Sequence, residues 1–330
     1  MSVAERPGVP AASDDGLSLA ALARSMARLP EDRAGVADAD LADTTALVTG
    51  STSGIGRDAA LALGRLGADV IVHGRDGAAG ETVVADIEAT GADARFVQAD
   101  FADVGAVRDL AATVRETTDE LDLLLNNAGG FFREGRLTDI GVEYTFHVNH
   151  LAPYLLTAEL LDHVPDGGRI VTTASEAHRG GTLDLDAVTT VDGYSGFAAY
   201  NRSKLANVLF TRELDRRCAA AGRDVTTSAV HPGAIPGSDF SRFLPSPVAD
   251  AVKLFEAIPL VTSVADGAAA LLNAAVAADT AGVSGRYFSK QRAATPARAA
   301  RNPNTARELW VRSADLLDVE EPLAAAVETA

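Results

Sequence analysis

The chain has one cysteine, Cys218, so no internal disulfide can form, and a lone thiol fits a reducing cytoplasm. Lysine is almost as scarce: it occurs only at Lys204, Lys253 and Lys290, while acids and arginine abound. The formal charge is −17 and the isoelectric point about 4.7. Such a surface repels polyanions, which argues against nucleic acid and anionic membranes as partners. An acid excess with little lysine suits either a high-salt cytoplasm or a codon bias toward Arg and Ala. Long apolar runs are missing too, so no segment reads as a bilayer span. Met1 to Asp15 carries acid and proline rather than a basic start and an apolar core, so no secretory signal is expected and a cytoplasmic location is.

What is present is enough apolar material for a sizeable core: 47% of 330 residues. Residues 1–43 read as an N-terminal extension, mobile over its first part, with helical spacing from Leu17 to Leu29. From residue 44 to 330, short apolar runs alternate with helical stretches. The strand candidates are Ala46–Thr49, Val70–His73, Arg95–Gln98, Leu121–Leu125, Arg169–Thr173, Val225–Val230 and Gly285–Phe288. Such alternation implies a single α/β domain: a doubly wound parallel sheet with helices on both faces. The stretch 235–260, rich in Pro, Ser and Phe, interrupts the pattern and reads as a lid over an apolar pocket. A C-terminal helix is expected over Thr305–Leu317, anchored by Leu309, Trp310 and Leu316.

Thr45 to Arg75 reads as strand, turn, helix, strand. Gly50 allows a tight turn after the first strand. Gly54 and Gly56 remove side chains where a pyrophosphate and a neighbouring strand approach. The helix that follows aims its N–H groups and its positive end at an anion. The spacing G-x-x-x-G-x-G departs from the commoner G-x-G-x-x-G, so the turn alone is a moderate signal. At the end of the second strand stands Arg75, with no acid before Asp76. A permanently charged, planar group there suits a ribose 2′-phosphate, which favours NADP over NAD, with NAD as the alternative. Arg57, on the first helical turn, is a second candidate for phosphate contact.

Tyr200 and Lys204 lie four apart on an expected helix whose buried side is read as Phe197, Leu205, Val208 and Leu209, so the two leave one face. A free phenol ionises near pH ~10; a nearby ammonium favours phenolate, so Tyr200 can exchange a proton with a hydroxyl. Asn127, Ala128 and Gly129 follow the fourth strand, small enough for close backbone approach. Asn149 sits in an apolar helix and needs partners. Ser175 ends the fifth strand, where a hydroxyl faces the crevice at the strands' carboxyl ends. His231, Pro232 and Gly233 follow the sixth.

These motifs, in this order, resemble the short-chain dehydrogenase/reductase family over roughly residues 44 to 317. The S-x-A-H after the fifth strand, the long gap from Ser175 to Tyr200 and the VSGRYF and ARELW segments resemble its retinol-dehydrogenase and protochlorophyllide-reductase branch. The resemblance implies a seven-stranded Rossmann sheet, a nicotinamide cofactor, and a dimer or tetramer built through the helices flanking Tyr200. It implies Tyr200 as general acid/base, Lys204 lowering the phenol's pKa and contacting the nicotinamide ribose, Ser175 bonding the substrate oxygen, and Asn149 holding a water. It places Asp100 against the adenine with Phe101 beside it. Ser51, Ser53, Ile55, Asn127 and Ile235 line the cofactor groove with the glycines, Ala128, Pro232 and Gly233. Gly237 stands where the family usually has a threonine for the carboxamide.

The function expected is an NADP(H)-preferring oxidoreductase interconverting a hydroxyl and a carbonyl on a small, hydrophobic alcohol, aldehyde or ketone. A C=C reductase of the same fold and a non-catalytic nucleotide-sensing scaffold are the alternatives. His147, His150 and His178 lack ligand spacing, so no metal is expected. A substrate contact is left open for His178. Cys218 is read as structural.

Overall fold

A computed structural model describes residues 28–234 and 262–324 of the chain. The lid candidate with Ile235 and Gly237, and all but the end of the Leu17–Leu29 helix candidate, lie outside the described residues. Eight strands form one sheet in the order β3-β2-β1-β4-β5-β6-β7-β8. They are β1 (Thr45–Val48), β2 (Asp69–Gly74), β3 (Ala94–Gln98), β4 (Leu123–Asn126), β5 (Arg169–Thr173), β6 (Thr226–His231), β7 (Arg286–Ser289) and β8 (Arg292–Ala293). The first seven are parallel. β8 corrects the expected count of seven: the chain reverses at Lys290, in the left-handed region at φ 57°, and pairs antiparallel with β7. Two residues are too few to leave a periodic trace in a sequence.

The strands read as continuous apolar runs because helices cover both faces, and alternate residues feed two separate cores. Leu47, Ile71, Leu124 and Ile170 point into one; Val48, Val72, Leu125 and Val171 into the other. The first core is closed by α4 (Val104–Thr117), α5, α6 (Gly196–Ala220) and α8 (Pro303–Leu317). The second is closed by α1 (Pro30–Ala34), α2 (Gly54–Arg65), α3 (Gly77–Glu88) and α7 (Val264–Val276). α5 runs Tyr144–Phe146, then a π-helical turn His147–Leu151, then Ala152–Leu160. Leu309 and Trp310 of α8 are buried as expected; Leu316 packs against the same core partly buried, and Leu317 is buried beside it.

Part of the N-terminal extension belongs to the folded unit. Ala34 and Val36 are buried in the second core. The Glu31 carboxylate accepts two hydrogen bonds from the Arg65 guanidinium at 2.6 and 2.8 Å. Arg33 reaches Asp266 at 2.6 Å on the first turn of α7. A bidentate, largely buried pair of this kind holds orientation as well as charge. The strand order reverses between β1 and β4, and that switch point opens the crevice where the expected site residues gather.

Candidate active site

The glycine corner is held by the protein's own polar groups. Gly50 turns with φ 65°, and a Cβ there would come within 2.8 Å of Ala128 Cα. A Cβ on Gly56 would overlap the Gly50 carbonyl oxygen and the Asn127 amide. Thus Gly56 is required by the fold itself. Gly54 is different: its φ is 57°, and among the described residues, its chain neighbours and own helix backbone aside, no atom lies within 4 Å of where a Cβ would stand. Ser53 forms no capping bond to α2, whose first turn holds no acid. The N–H groups at this helix end therefore face open ground from Ser53, Gly54 and Ile55, which suits a pyrophosphate.

Other expected cofactor residues serve the walls. Ser51 is fully buried; its hydroxyl donates to the Val48 carbonyl at 2.6 Å and accepts from the His73 N–H at 3.0 Å. The Asn127 amide donates to the Thr49 carbonyl at 2.9 Å, and the Thr49 hydroxyl accepts from the N–H groups of Asn127 and Ala128 at 3.0 Å each. Phe101, expected beside an adenine, is buried and stacks on His73 at 4.5 Å. Asp100 keeps an exposed carboxylate 4.0 Å from Arg75. Arg75 itself is largely exposed at the end of β2, while the Asp76 carboxylate caps α3 through the Ala79 N–H at 3.1 Å. The acid nearest the ribose position is thus engaged and the guanidinium extends outward. Arg57, the second candidate, is paired at the surface with Asp86 at 2.7 Å.

The residues expected to react converge from three elements. The Ser175 hydroxyl faces the Tyr200 phenol across the crevice, near enough to lower its pKa, and both side chains are half-buried. Lys204, one turn along α6, is buried with its Nζ 5.7 Å from the centre of the Tyr200 ring. It donates to the Thr173 carbonyl at 3.0 Å, which also accepts from Asn207 at 3.1 Å. Asn149 lies in the π-helical turn of α5, a widening often found at functional sites. Its side chain pairs with both backbone groups of Gly130, at 2.8 and 2.9 Å, and donates to the Ser203 hydroxyl at 3.0 Å. A Cβ on Gly129 would stand 2.8 Å from the Asn149 oxygen and 3.6 Å from Lys204 Nζ, so this glycine admits the pair. At the far side, Gly233 has φ 106° and packs against Thr262, with Pro232 buried before it.

The profile of one protein family, short chain dehydrogenase, matches residues 44–246. The chain belongs to this family. It is 36% identical over 293 residues to human retinol dehydrogenase 13, covering 84% of this chain and 86% of the relative. It is 37% identical over 273 residues to mouse polyprenol dehydrogenase, covering 80% and 81%. Among solved structures, a short chain dehydrogenase from Burkholderia cenocepacia in complex with NADP aligns with TM-score 0.60 and 32% identity, over 76% of this chain and 96% of that one. The angucycline C-6 ketoreductase LanV with bound NADP aligns with TM-score 0.62 and 29% identity, over 76% and 95%.

In this short-chain dehydrogenase the electrostatics differ from the sequence expectation. Burial raises the Tyr200 phenol above its ordinary value, and the Ser175 hydrogen bond only partly offsets it. Lys204 is itself pushed down to about 8 by burial. The phenol therefore stands protonated at neutral pH, poised as an acid. Phe197, expected on the buried side of α6, is exposed in its first turn, before the helix enters the core, and its ring lies 5.0 Å from Phe131.

The histidines are wall pieces. His147 bonds the Thr138 hydroxyl at 2.7 Å and His150 the Ser313 hydroxyl at 3.0 Å; burial lowers them to about 4 and about 3. The His178 ring is fully buried and bonded at both nitrogens to backbone, which answers the open question of a substrate contact. Burial raises the Cys218 thiol to about 11, which keeps it protonated.

His73 was missed as a site residue. Its Nδ1 accepts from the Gly50 N–H at 3.1 Å and its Nε2 lies 3.2 Å from the Ala99 carbonyl, so it pins the glycine turn to the end of β3. A histidine following the apolar run of Val70, Ile71 and Val72 in a doubly covered strand was the available signal.

Proposed function

We propose that the protein is an NADP(H)-preferring oxidoreductase that interconverts a hydroxyl and a carbonyl on a small hydrophobic substrate. The observation that carries this reading is the convergence of the Ser175 hydroxyl and the Tyr200 phenol at the carboxyl end of the sheet, with buried Lys204 one turn away. One substrate oxygen placed between the two hydroxyls would bond to both. The nicotinamide, when bound, supplies or accepts the hydride. Gly54, Ile55 and the start of α2 would hold its pyrophosphate and Arg75 its 2′-phosphate, while Lys204 and Asn149 flank the inner end beside Gly129.

In the reducing direction the Ser175 hydroxyl donates to the substrate oxygen and stabilises the charge growing there. The Tyr200 phenol, held protonated by burial, hands its proton to that oxygen. The Lys204 ammonium steadies the phenolate that this leaves. In the oxidising direction the same atoms run backward. Phe131 stands beside Tyr200, with ring centres 5.9 Å apart, and Phe197 lies against Phe131; these aromatic rings suit an apolar substrate. The names of relatives, two alcohol dehydrogenases and a ketoreductase, support the same chemistry.

The test is NADPH consumption, followed by absorbance, over a panel of ketones and aldehydes including a conjugated enone. An allylic alcohol as the enone product supports the reading; a saturated ketone overturns it. Tyr200→Phe should cut turnover about 10²–10⁴-fold and leave NADPH binding unchanged; undiminished turnover refutes the assignment.

A further inference from the structure

The turn that carries Ser175 is fastened to a distant part of the chain. Ser175 opens a 3-10 turn, Glu176–Gly180, and three of its side chains reach the C-terminal segment around β7 and β8. Glu176 accepts from the Tyr287 phenol at 2.8 Å, and Arg179 donates to the Thr295 carbonyl at 3.0 Å. These two are partly or well exposed. The third, His178, is fully buried, and among the three it alone also bonds Ser175.

Its two ring bonds define its state. Nδ1 lies 2.6 Å from the Ser175 carbonyl oxygen, which can only accept, so Nδ1 carries the hydrogen. Nε2 lies 3.0 Å from the Ala297 N–H, which can only donate, so Nε2 is bare. A single neutral tautomer satisfies both. The His178 backbone N–H adds a bond to the same Ser175 oxygen at 3.1 Å. The ring packs 4.8 Å from that of Tyr287, which fixes its plane. Burial, which disfavours the imidazolium, works in the same direction.

We infer that His178 is a positioning residue: its imidazole clamps the Ser175 backbone to Ala297, and so sets where the Ser175 hydroxyl stands relative to the Tyr200 phenol. This rests on the reading of Ser175 as the group that binds the substrate oxygen. The clamp matters because Ser175 sits where β5 has ended and the sheet no longer holds the chain. A shift of an ångström in that hydroxyl would weaken the shared grip on the substrate oxygen and cost up to about a hundredfold in turnover. Nothing in the clamp touches the cofactor corner, so nucleotide affinity should not follow.

The experiment is a mutant cycle on the full chain, with NADPH affinity measured by nucleotide fluorescence and folding by thermal unfolding. His178→Phe keeps the ring stack and removes both bonds. His178→Asn keeps a donor near the Nδ1 position and removes the bond to Ala297. The expected result is a kcat loss of about ten- to a hundredfold for His178→Phe, a smaller loss for His178→Asn, and an unchanged Kd for NADPH in both. In a Ser175→Ala background, His178→Phe should cost little more, since the residue acts through Ser175. Losses that simply multiply, or a kcat for His178→Phe within twofold of the parent, overturn the inference. If His178→Phe does not fold, His178→Asn carries the cycle by the same criteria. A Ser175→Ala enzyme with undiminished turnover would instead sink the reading of Ser175 itself.

Discussion

The two ends of the crevice are built by opposite means. At the cofactor end, around β1, β2 and β4, neutral groups satisfy one another: Thr49 with Asn127 and Ala128, Ser51 with His73, His73 with Gly50. What remains there for a pyrophosphate is backbone N–H and open space at Gly54, with the exposed Arg75 guanidinium at the end of β2. At the reacting end, around β5 and α6, titratable side chains are buried, and their proton affinities move: Tyr200 upward, Lys204 down to about 8. One end binds by shape and by fixed dipoles. The other holds a proton ready because water has been removed from it. The comparison teaches that a phosphate site needs little chemistry from side chains, whereas proton transfer needs desolvation that only a packed interior supplies.

Two glycines break the comparison most sharply. Gly56→Ala drives a methyl into backbone and the Asn127 amide, so it should destabilise the fold by about 1–3 kcal/mol and weaken NADPH binding as well. Gly54→Ala meets no atom and strains only a left-handed residue, costing about 1 kcal/mol, yet its methyl stands where the pyrophosphate would lie. Thermal unfolding and NADPH affinity should therefore part company in Gly54→Ala and fall together in Gly56→Ala. Equal behaviour would contradict the assignment of these positions.

The proton end makes a pH prediction. Burial lowers Lys204 in the folded enzyme, so its ammonium is present below about 8 and is lost above it. Carbonyl reduction should accordingly fall as pH rises through about 8, and a kcat profile flat to pH 10 would speak against a need for that charge. The mildest change is in cofactor choice. Arg75→Asp should move preference from NADPH toward NADH by about tenfold, the value of one charge-assisted contact, with kcat for the preferred substrate little altered. Unchanged preference, read from kcat/KM with both nucleotides, would give the phosphate to another residue.

How much of this was legible depends on the range of the interaction. Tyr200 and Lys204 share a face because a helix repeats every 3.6 residues, and Gly50 and Gly54 mark left-handed corners because other residues avoid them. The seven parallel strands are visible for the same reason, as runs between turns. Phe197 misled because helical phase says which residues align, not where along its length a helix enters the core. The Arg57 pair with Asp86 could not be read from the sequence because Asp86 lies on another helix. Lys204 was assigned to lowering the phenol's pKa by charge; the burial that raises it belongs to neither residue's neighbours in sequence.

By itself, then, the order of residues determined the helix faces, the glycine turns and the strand–helix alternation, all of which depend on steric limits acting over a few residues. Tertiary structure alone decided which groups meet: Ser175 with Tyr200, His73 with Gly50, His178 with Ala297, and the protonation each is held in. The physical reason is that packing brings together residues far apart in the chain and strips them of water. The strength of a charge or a hydrogen bond depends on that stripping far more than on which side chain carries it.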